Sequence, residues 1–91
     1  MPRTFVDDDT GYEQWLREHP SGYVLNCERR PKANYLVLHR ARCHTISGTP
    51  ARGDNWTIAL MKVVADTSPQ LEAWARAETG GGVQRCGTCV P

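Results

Sequence analysis

Two short stretches, one near the middle of the chain and one at its end, restrict the possible folds more than any other part of the sequence. In the first, three residues separate His39 from Cys43, and in the second, Cys86-Gly-Thr-Cys89, two residues separate a pair of cysteines. Gly87 is expected to let the second stretch turn tightly. If the four side chains bind one ion, the middle and the end of the chain must meet in the fold.

The residue types indicate zinc, which takes four tetrahedral ligands and prefers cysteine sulfur and histidine nitrogen. We therefore predict a site with one nitrogen and three sulfur ligands, which are His39, Cys43, Cys86 and Cys89. Such a site leaves no free coordination position, so zinc is predicted to be structural, and its binding shares one free energy with folding. His44 is the alternative nitrogen ligand, and a redox pair is the main alternative for Cys-x-x-Cys.

The length of the chain gives a metal ion a structural purpose. The chain has 91 residues, 40% of them hydrophobic, and a domain of this size buries only about 60–65% of its surface. We predict one zinc-stabilised domain over residues 1–91. No apolar run approaches the roughly 20 residues of a membrane span, and the first residues lack the apolar core of a signal peptide. A cytoplasmic protein without a membrane partner is therefore expected, and there four cysteines favour a metal over disulfides.

The order of the patterns predicts an α+β fold, in which a small three-stranded antiparallel sheet carries two helices and a zinc knuckle. The strand-like runs, rich in Val, Leu and Tyr, are residues 22–29, 34–41 and 56–65. In the second run, His39 shares a face with Tyr35 and Val37. The third run is apolar enough for a central strand, and Cys27 in the first run is predicted to be a buried core residue.

Two helices are predicted to flank these strands. The first begins at a capping box of Thr10 and Glu13, with the carboxylates of residues 7–9 solvated beside its positive end. The second begins at Ser68, which a proline follows, and ends at the glycines of residues 80–82. The inward stripe of the second helix is predicted to consist of Leu71, Trp74, Ala75 and Glu78.

Charge is spread unevenly along a chain whose overall net charge is +1. Residues 26–53 contain one acidic side chain, Glu28, and six basic ones, which are Arg29, Arg30, Lys32, Arg40, Arg42 and Arg52. A local excess of this kind can bind phosphates, so the six basic residues are candidate nucleic-acid contacts, with Tyr35 and Trp56 nearby to stack on bases. A solvated basic turn is the simpler alternative.

The stretches LHRARCHTI and SPQLEAWARAETGGGVQRCGTCVP together resemble the small zinc-binding module of the Ada DNA-repair family, over roughly residues 37–91. In that family a His-x-x-x-Cys segment precedes a helix, and the module closes on Gly-x-x-x-Cys-x-x-Cys-x-Pro. Gly82 and Pro91 occupy the corresponding positions here, although a longer spacer separates the two halves. The resemblance implies zinc on the four residues named above and a role as an appendage of nucleases or other DNA-handling proteins. Residues 1–36 resemble the front of small actinobacterial proteins, which implies no activity.

Three classes of function stay open at this level. The first is a nucleic-acid-associated zinc module in a bacterial DNA-handling or defence system. The second is a protein-interaction module or accessory subunit without nucleic-acid binding, using the apolar third strand or the Trp74 face. The third is an enzyme-like alkyl acceptor at a zinc thiolate such as Cys43, which the Ada resemblance implies. An enzyme is the least expected, because a full ligand set leaves no position for a zinc-bound water.

Overall fold

The protein is described by a computed structural model that covers residues 2–46 and 55–89. Five strands and two helices follow one another along the chain in this part. Their order is β1 (Arg3–Phe5), α1 (Asp9–Glu18), β2 (Tyr23–Glu28), β3 (Leu36–Arg40), β4 (Leu60–Ala65), α2 (Ser68–Thr79) and β5 (Gln84–Arg85). No helix in these two ranges has the length and apolar character needed to cross a membrane.

The strands form one mixed sheet in the order β1-β4-β2-β3-β5. All neighbouring strands are antiparallel except β3 and β5, which are parallel. The α+β class and the two helices are confirmed, but the prediction of three purely antiparallel strands was wrong. Strands β1 and β5 contain three and two residues, which is too short for any alternation of polar and apolar residues to show in the sequence.

The β2–β3 hairpin and β4 form the centre of the sheet. In the hairpin, Val24 is paired with His39, and Cys27 with Leu36. Cys27 is fully buried, as its apolar context predicted. Strand β4 is hydrogen-bonded to β1 on one side and to β2 on the other. All its residues after Leu60 are buried, which explains why its sequence is a nearly continuous apolar run.

Helix α1 covers one face of the sheet. Tyr12 and Trp15 are buried with strand residues such as Val24 and Val64. The Tyr12 hydroxyl donates to the backbone oxygen of Ile46 over 2.7 Å, so it satisfies its polar group within the core. This apolar cluster consists of Phe5, Tyr12, Trp15, Val24, Ala41, Cys43, Ile46, Trp56 and Val64, and Cys86 and Cys89 pack against it.

Helix α2 covers the opposite face of the sheet. The strand residues beneath it directly follow or precede those beneath α1, and consecutive strand residues point to opposite faces. Its Leu71 and Ala75 are fully buried against residues such as Leu25 and Val63. The predicted inward stripe was half right. Trp74 is only half-buried, and Glu78 is exposed.

The helix ends differ slightly from the predicted caps. Asp8, rather than Thr10, caps α1, and its carboxylate accepts from the amide of Gly11 over 2.9 Å. Thr67 caps α2 in a capping box with Gln70, one residue before the predicted cap. Helix α2 ends at Gly80 with φ of 75°, the left-handed conformation that glycine adopts at least cost.

Candidate metal centre

The end of β3 and the turn that follows it position the first two candidate ligands. His39 lies on the α1 face of the sheet and is 6% exposed. After β3 the amide of Cys43 donates to the oxygen of Arg40 over 2.9 Å, and the amide of Ile46 donates to the oxygen of Cys43. These two backbone bonds form a tight turn that returns Cys43, which is 3% exposed, to the side of the sheet where His39 lies.

The parallel strand β5 brings the other two candidate ligands to the same place. The amide of Cys86 donates to the oxygen of Leu38 over 2.9 Å, which fixes the knuckle, residues 86–89, beside the end of β3. Arg40 holds Cys89 twice, with its amide 3.3 Å from Sγ and with Nε donating to the backbone oxygen over 2.8 Å. Gly87 is not essential to the turn, because a Cβ at residue 87 would meet no atom within 4 Å.

The four side chains form one cluster that could hold a metal ion. The ligand atoms of His39, Cys43, Cys86 and Cys89 all lie within 4.8 Å of one another. Two edges of the cluster, Cys43 Sγ to Cys86 Sγ and Cys89 Sγ to His39 Nδ1, each measure 4.0 Å. A tetrahedral zinc site has ligand atoms roughly 3.5–3.8 Å apart. The cluster is therefore close to the required size and slightly wide along these edges.

His44 is placed away from this cluster. Its side chain is exposed, although it directly follows Cys43 in the sequence. In the described ranges the group of possible metal ligands contains His39 as its only histidine. The geometry thus favours the nitrogen ligand that the three-residue spacer indicated.

The electrostatic environment suits metal binding, which requires a neutral imidazole and deprotonated thiols. Burial, together with the positive charge of Lys62, lowers the pKa of His39 to about 4, so its ring is neutral near pH 7. Burial acts against the Cys86 thiolate, but amide hydrogen bonds from Cys89 and Thr88 outweigh it and lower the pKa of Cys86 to about 7. Burial and the neighbouring Cys43 raise the pKa of Cys89 to about 12. The amide hydrogen bonds thus favour a thiolate in the knuckle, as metal binding requires.

A buried lysine that was not predicted from the sequence lies on the same face of the sheet. Lys62 is 3% exposed, and its Nζ donates to Asn26 Oδ1 and to the oxygen of Trp56, each over 2.7 Å. Burial lowers its pKa to about 8. The only available signal was a lysine inside the apolar run Ile-Ala-Leu-Met-Lys-Val-Val-Ala. Its charge helps to keep His39 neutral.

Some of the basic side chains predicted to contact nucleic acid bind other groups of the protein, and others do not. Arg29 binds both carboxylate oxygens of Asp7 over 2.8 and 2.7 Å, and Lys32 lies 3.9 Å from a carboxylate oxygen of Glu28. Arg40 is held by Cys89, as described above. Arg30 and Arg42 are exposed and make no hydrogen bond or ion pair with the rest of residues 2–46 and 55–89. Arg52 lies outside the described residues.

The aromatic residues predicted to stack on bases are not well placed for that role. Trp56 is 9% exposed and packs edge-on against Tyr12 at a centroid distance of 6.5 Å. Tyr35 is half-buried, and its hydroxyl accepts from Asn26 Nδ2 over 3.3 Å. Burial of Trp56 in the core overturns the expectation that it stacks on nucleic-acid bases.

Asp9 is a further residue whose role was not predicted from the sequence. One of its carboxylate oxygens accepts from the amide and the hydroxyl of Thr57, over 2.8 and 2.6 Å, and the other accepts from the amide of Trp56 over 2.7 Å. These bonds outweigh the effect of burial and lower the pKa of Asp9. The acidic run was interpreted as a solvated helix cap, but Asp9 joins α1 to the segment before β4.

Comparison with known proteins adds no relative to this picture: no protein-family model matches the chain, and neither a curated protein nor a solved structure shows significant similarity to it.

Proposed function

We propose that the protein is a zinc-stabilised binding module. The observation that supports this most directly is the convergence of one imidazole and three sulfurs, whose ligand atoms all lie within 4.8 Å. These ligands come from the end of β3, the following turn and the segment after β5, so one ion would join the hairpin to the end of the chain. Three sulfurs and one nitrogen form a donor set typical of structural zinc, and the Ada-type resemblance implies the same metal.

A metal explains the cysteines better than a redox pair does. No disulfide joins the cysteines in the part of the chain that the structure describes, and the Cys86–Cys89 pair lies in one cluster with Cys43 and His39 rather than alone. Low-pKa Cys-x-x-Cys pairs are associated with helix N-termini, whereas Cys86 follows the strand β5. The neighbouring neutral histidine also has no role in a simple dithiol exchange, but it is a good zinc ligand.

Elemental analysis of protein purified with zinc present tests the metal. About one equivalent of zinc is expected in the wild type, and much less in Cys86→Ser and Cys89→Ser variants. His44→Ala is the matched control, because His44 is exposed and outside the cluster, and it should retain the metal. Less than half an equivalent in the wild-type protein would contradict the proposal.

The finer proposal is that this module associates with nucleic acid. It is supported by the exposed Arg30 and Arg42, which are not engaged by acidic side chains in the described ranges, and by the resemblance to a DNA-repair family. Fluorescent DNA and RNA titrated at two salt concentrations test it. On duplex DNA each phosphate contact changes log K by about −0.9 per log unit of salt, so Arg30→Ala or Arg42→Ala should reduce the slope by about 1. Arg17→Ala, on α1, is the control, and salt-insensitive or absent binding at micromolar protein would refute this part.

The alternative is a protein-interaction module without nucleic-acid binding, and one observation favours it. Within residues 2–46 and 55–89, Val6 and Ile58 are the exposed large hydrophobic residues, at 37% and 45%. They are the sequence neighbours of Asp7 and Thr57, which are joined by a 2.9 Å backbone hydrogen bond, so both residues lie near the end of the edge strand β1. Sedimentation of the wild type and of a Val6→Ser, Ile58→Ser double variant tests protein interaction through these side chains. Self-association is expected in the wild type and should disappear in the variant, and a wild type that stays monomeric would contradict self-association at this site.

A further inference from the structure

The hydroxyl group of Thr45 lies against two of the candidate metal ligands. Its Oγ1 is 2.9 Å from Cys43 Sγ and 3.3 Å from His39 Nδ1. The turn that follows β3 brings it there, because the Ile46 amide donates to the oxygen of Cys43 and draws the intervening residues over the site. Thr45 itself is exposed, so its hydroxyl stands between the ligands and solvent.

Metal binding would decide in which direction this hydrogen bond runs. A threonine hydroxyl carries one proton, and either the hydroxyl or the thiol of Cys43 can donate when no metal is bound. A metal-bound Cys43 is a thiolate and can only accept. If His39 binds through Nδ1, the atom 4.0 Å from Cys89 Sγ, its lone pair belongs to the metal. The hydroxyl proton then points to Cys43 Sγ.

The other two sulfurs receive hydrogen bonds from the backbone. Cys86 is stabilised by the amides of Cys89 and Thr88, and Cys89 Sγ lies 3.3 Å from the amide of Arg40. Thr45 supplies a side-chain donor to the third sulfur, and a side chain can be changed without altering the backbone. Hydrogen bonds of this kind orient metal ligands, and their loss commonly costs 10–100-fold in metal affinity.

We propose that Thr45 is a positioning residue of the metal centre, whose hydroxyl donates to the Cys43 thiolate, holds it on the metal and slows its reaction with electrophiles. This inference rests on the proposed metal site and deepens it. A hydrogen bond withdraws negative charge from the sulfur, and a charge-assisted bond is stronger than a neutral one. Thr45 is exposed, whereas Cys43 is 3% exposed, so the hydroxyl is an outer neighbour of a buried sulfur.

The experiment compares the full-length wild type with Thr45→Val, which removes the hydroxyl but keeps the side-chain shape, and with Thr45→Ser, which keeps the hydroxyl. Thr4→Val is the control, since Thr4 is exposed on β1 and outside the site. With cobalt as the metal probe, Thr45→Val should move the sulfur-to-cobalt charge-transfer band to longer wavelength, because the sulfur holds more charge. Competition with a chelator should show zinc binding weakened by roughly tenfold or more.

Reactivity provides an independent readout. Iodoacetamide is added to the zinc-loaded proteins, and the thiolate displaces iodide to form a sulfur–carbon bond, which peptide mass spectrometry assigns to Cys43. This reaction should be several times faster in Thr45→Val, whereas Thr45→Ser and Thr4→Val should match the wild type. Equal spectra and rates in all four proteins would overturn the inference while leaving the metal site intact. A Thr45→Ser variant that reacts with iodoacetamide as fast as Thr45→Val would also overturn the inference, because the rate would then not depend on the hydroxyl. A wild type that binds neither zinc nor cobalt would overturn the metal site and this inference together.

Discussion

Replacing Asp9 with alanine removes the carboxylate that connects α1 to the segment before β4. In the native protein this group accepts three hydrogen bonds of 2.6–2.8 Å from Trp56 and Thr57. The Thr57 hydroxyl can turn to another acceptor, but the two backbone amides cannot move away independently. They are left facing a methyl group in a partly buried setting, where water replaces the carboxylate poorly.

The loss of stability expected in Asp9→Ala can be estimated from these two amides. A hydrogen bond to a charged group contributes about 1.5–3 kcal/mol, so two lost bonds suggest about 3–6 kcal/mol. Because Asp9 is half-buried rather than fully enclosed, some hydration returns, and we expect a loss of about 2–4 kcal/mol in the free energy of unfolding. For a domain of this size 1 kcal/mol corresponds to roughly 4–8 °C, so the midpoint should fall by at least about 8 °C.

Urea unfolding followed by circular dichroism and tryptophan fluorescence measures this loss. Asp8→Ala is the matched control, because Asp8 is the adjacent carboxylate and caps α1 through one hydrogen bond to Gly11. Loss of a helix cap costs about 1 kcal/mol. Asp9→Asn, which keeps one acceptor oxygen without the charge, should lie between the two. If Asp9→Ala destabilises the protein no more than Asp8→Ala does, the three hydrogen bonds of Asp9 contribute no more to stability than a single helix cap.

Three further predictions concern the metal centre and the charges near it. Chelation of the wild type should lower its melting temperature markedly, whereas a Cys89→Ser variant should melt at the same temperature with and without chelator in a thermal scan. In metal-free protein the pKa of His39 is lowered, so on acidification the unfolded chain binds a proton before the folded protein does. The free energy of unfolding should therefore fall by up to about 3 kcal/mol as pH drops from about 6.5 to 4. Urea titrations at several pH values should show that this pH dependence is weaker in His39→Gln but not in His44→Gln. Burial likewise lowers the pKa of Lys62 to about 8, so above that pH the buried lysine loses its proton while the unfolded chain keeps it until about pH 10.5. The stability of wild type minus that of Lys62→Met should therefore increase between pH 8 and 10, and a flat difference would contradict the assigned burial cost.

Local patterns predicted the features that depend on neighbouring residues. Alternation along β3 places His39 on the face opposite Leu38, and the apolar run of β4 indicates a central strand. Gly80 ends α2 in the left-handed conformation that the glycine run indicated. The closeness of the two halves of the metal centre followed only from the chemistry of the ligands, because no periodicity links such distant stretches of chain.

The features that escaped prediction depend on contacts between distant residues or on very short elements. Asp9 looks like an ordinary helix-cap carboxylate until Thr57 is placed beside it. In the sequence Arg29 looks like a solvated basic side chain, but its guanidinium binds the carboxylate of Asp7, a residue that follows β1. Strand β5 has two residues, and no property of a dipeptide predicts a parallel partner.

The parallel pairing of β3 and β5 makes the outer edge of the sheet dependent on a very small amount of hydrogen bonding. Only Val37 and Leu38 have register partners on β5, and Gln84 adds a side-chain bond to the amide of Leu36. A metal ion bound by ligands from both the end of β3 and the knuckle would hold β5 against β3 at this edge. Without the metal, β3 would present unpaired amides and carbonyls to any extended chain nearby. An exposed edge of this kind lets strands of different molecules pair with each other. The metal would then protect the protein from association as well as from unfolding.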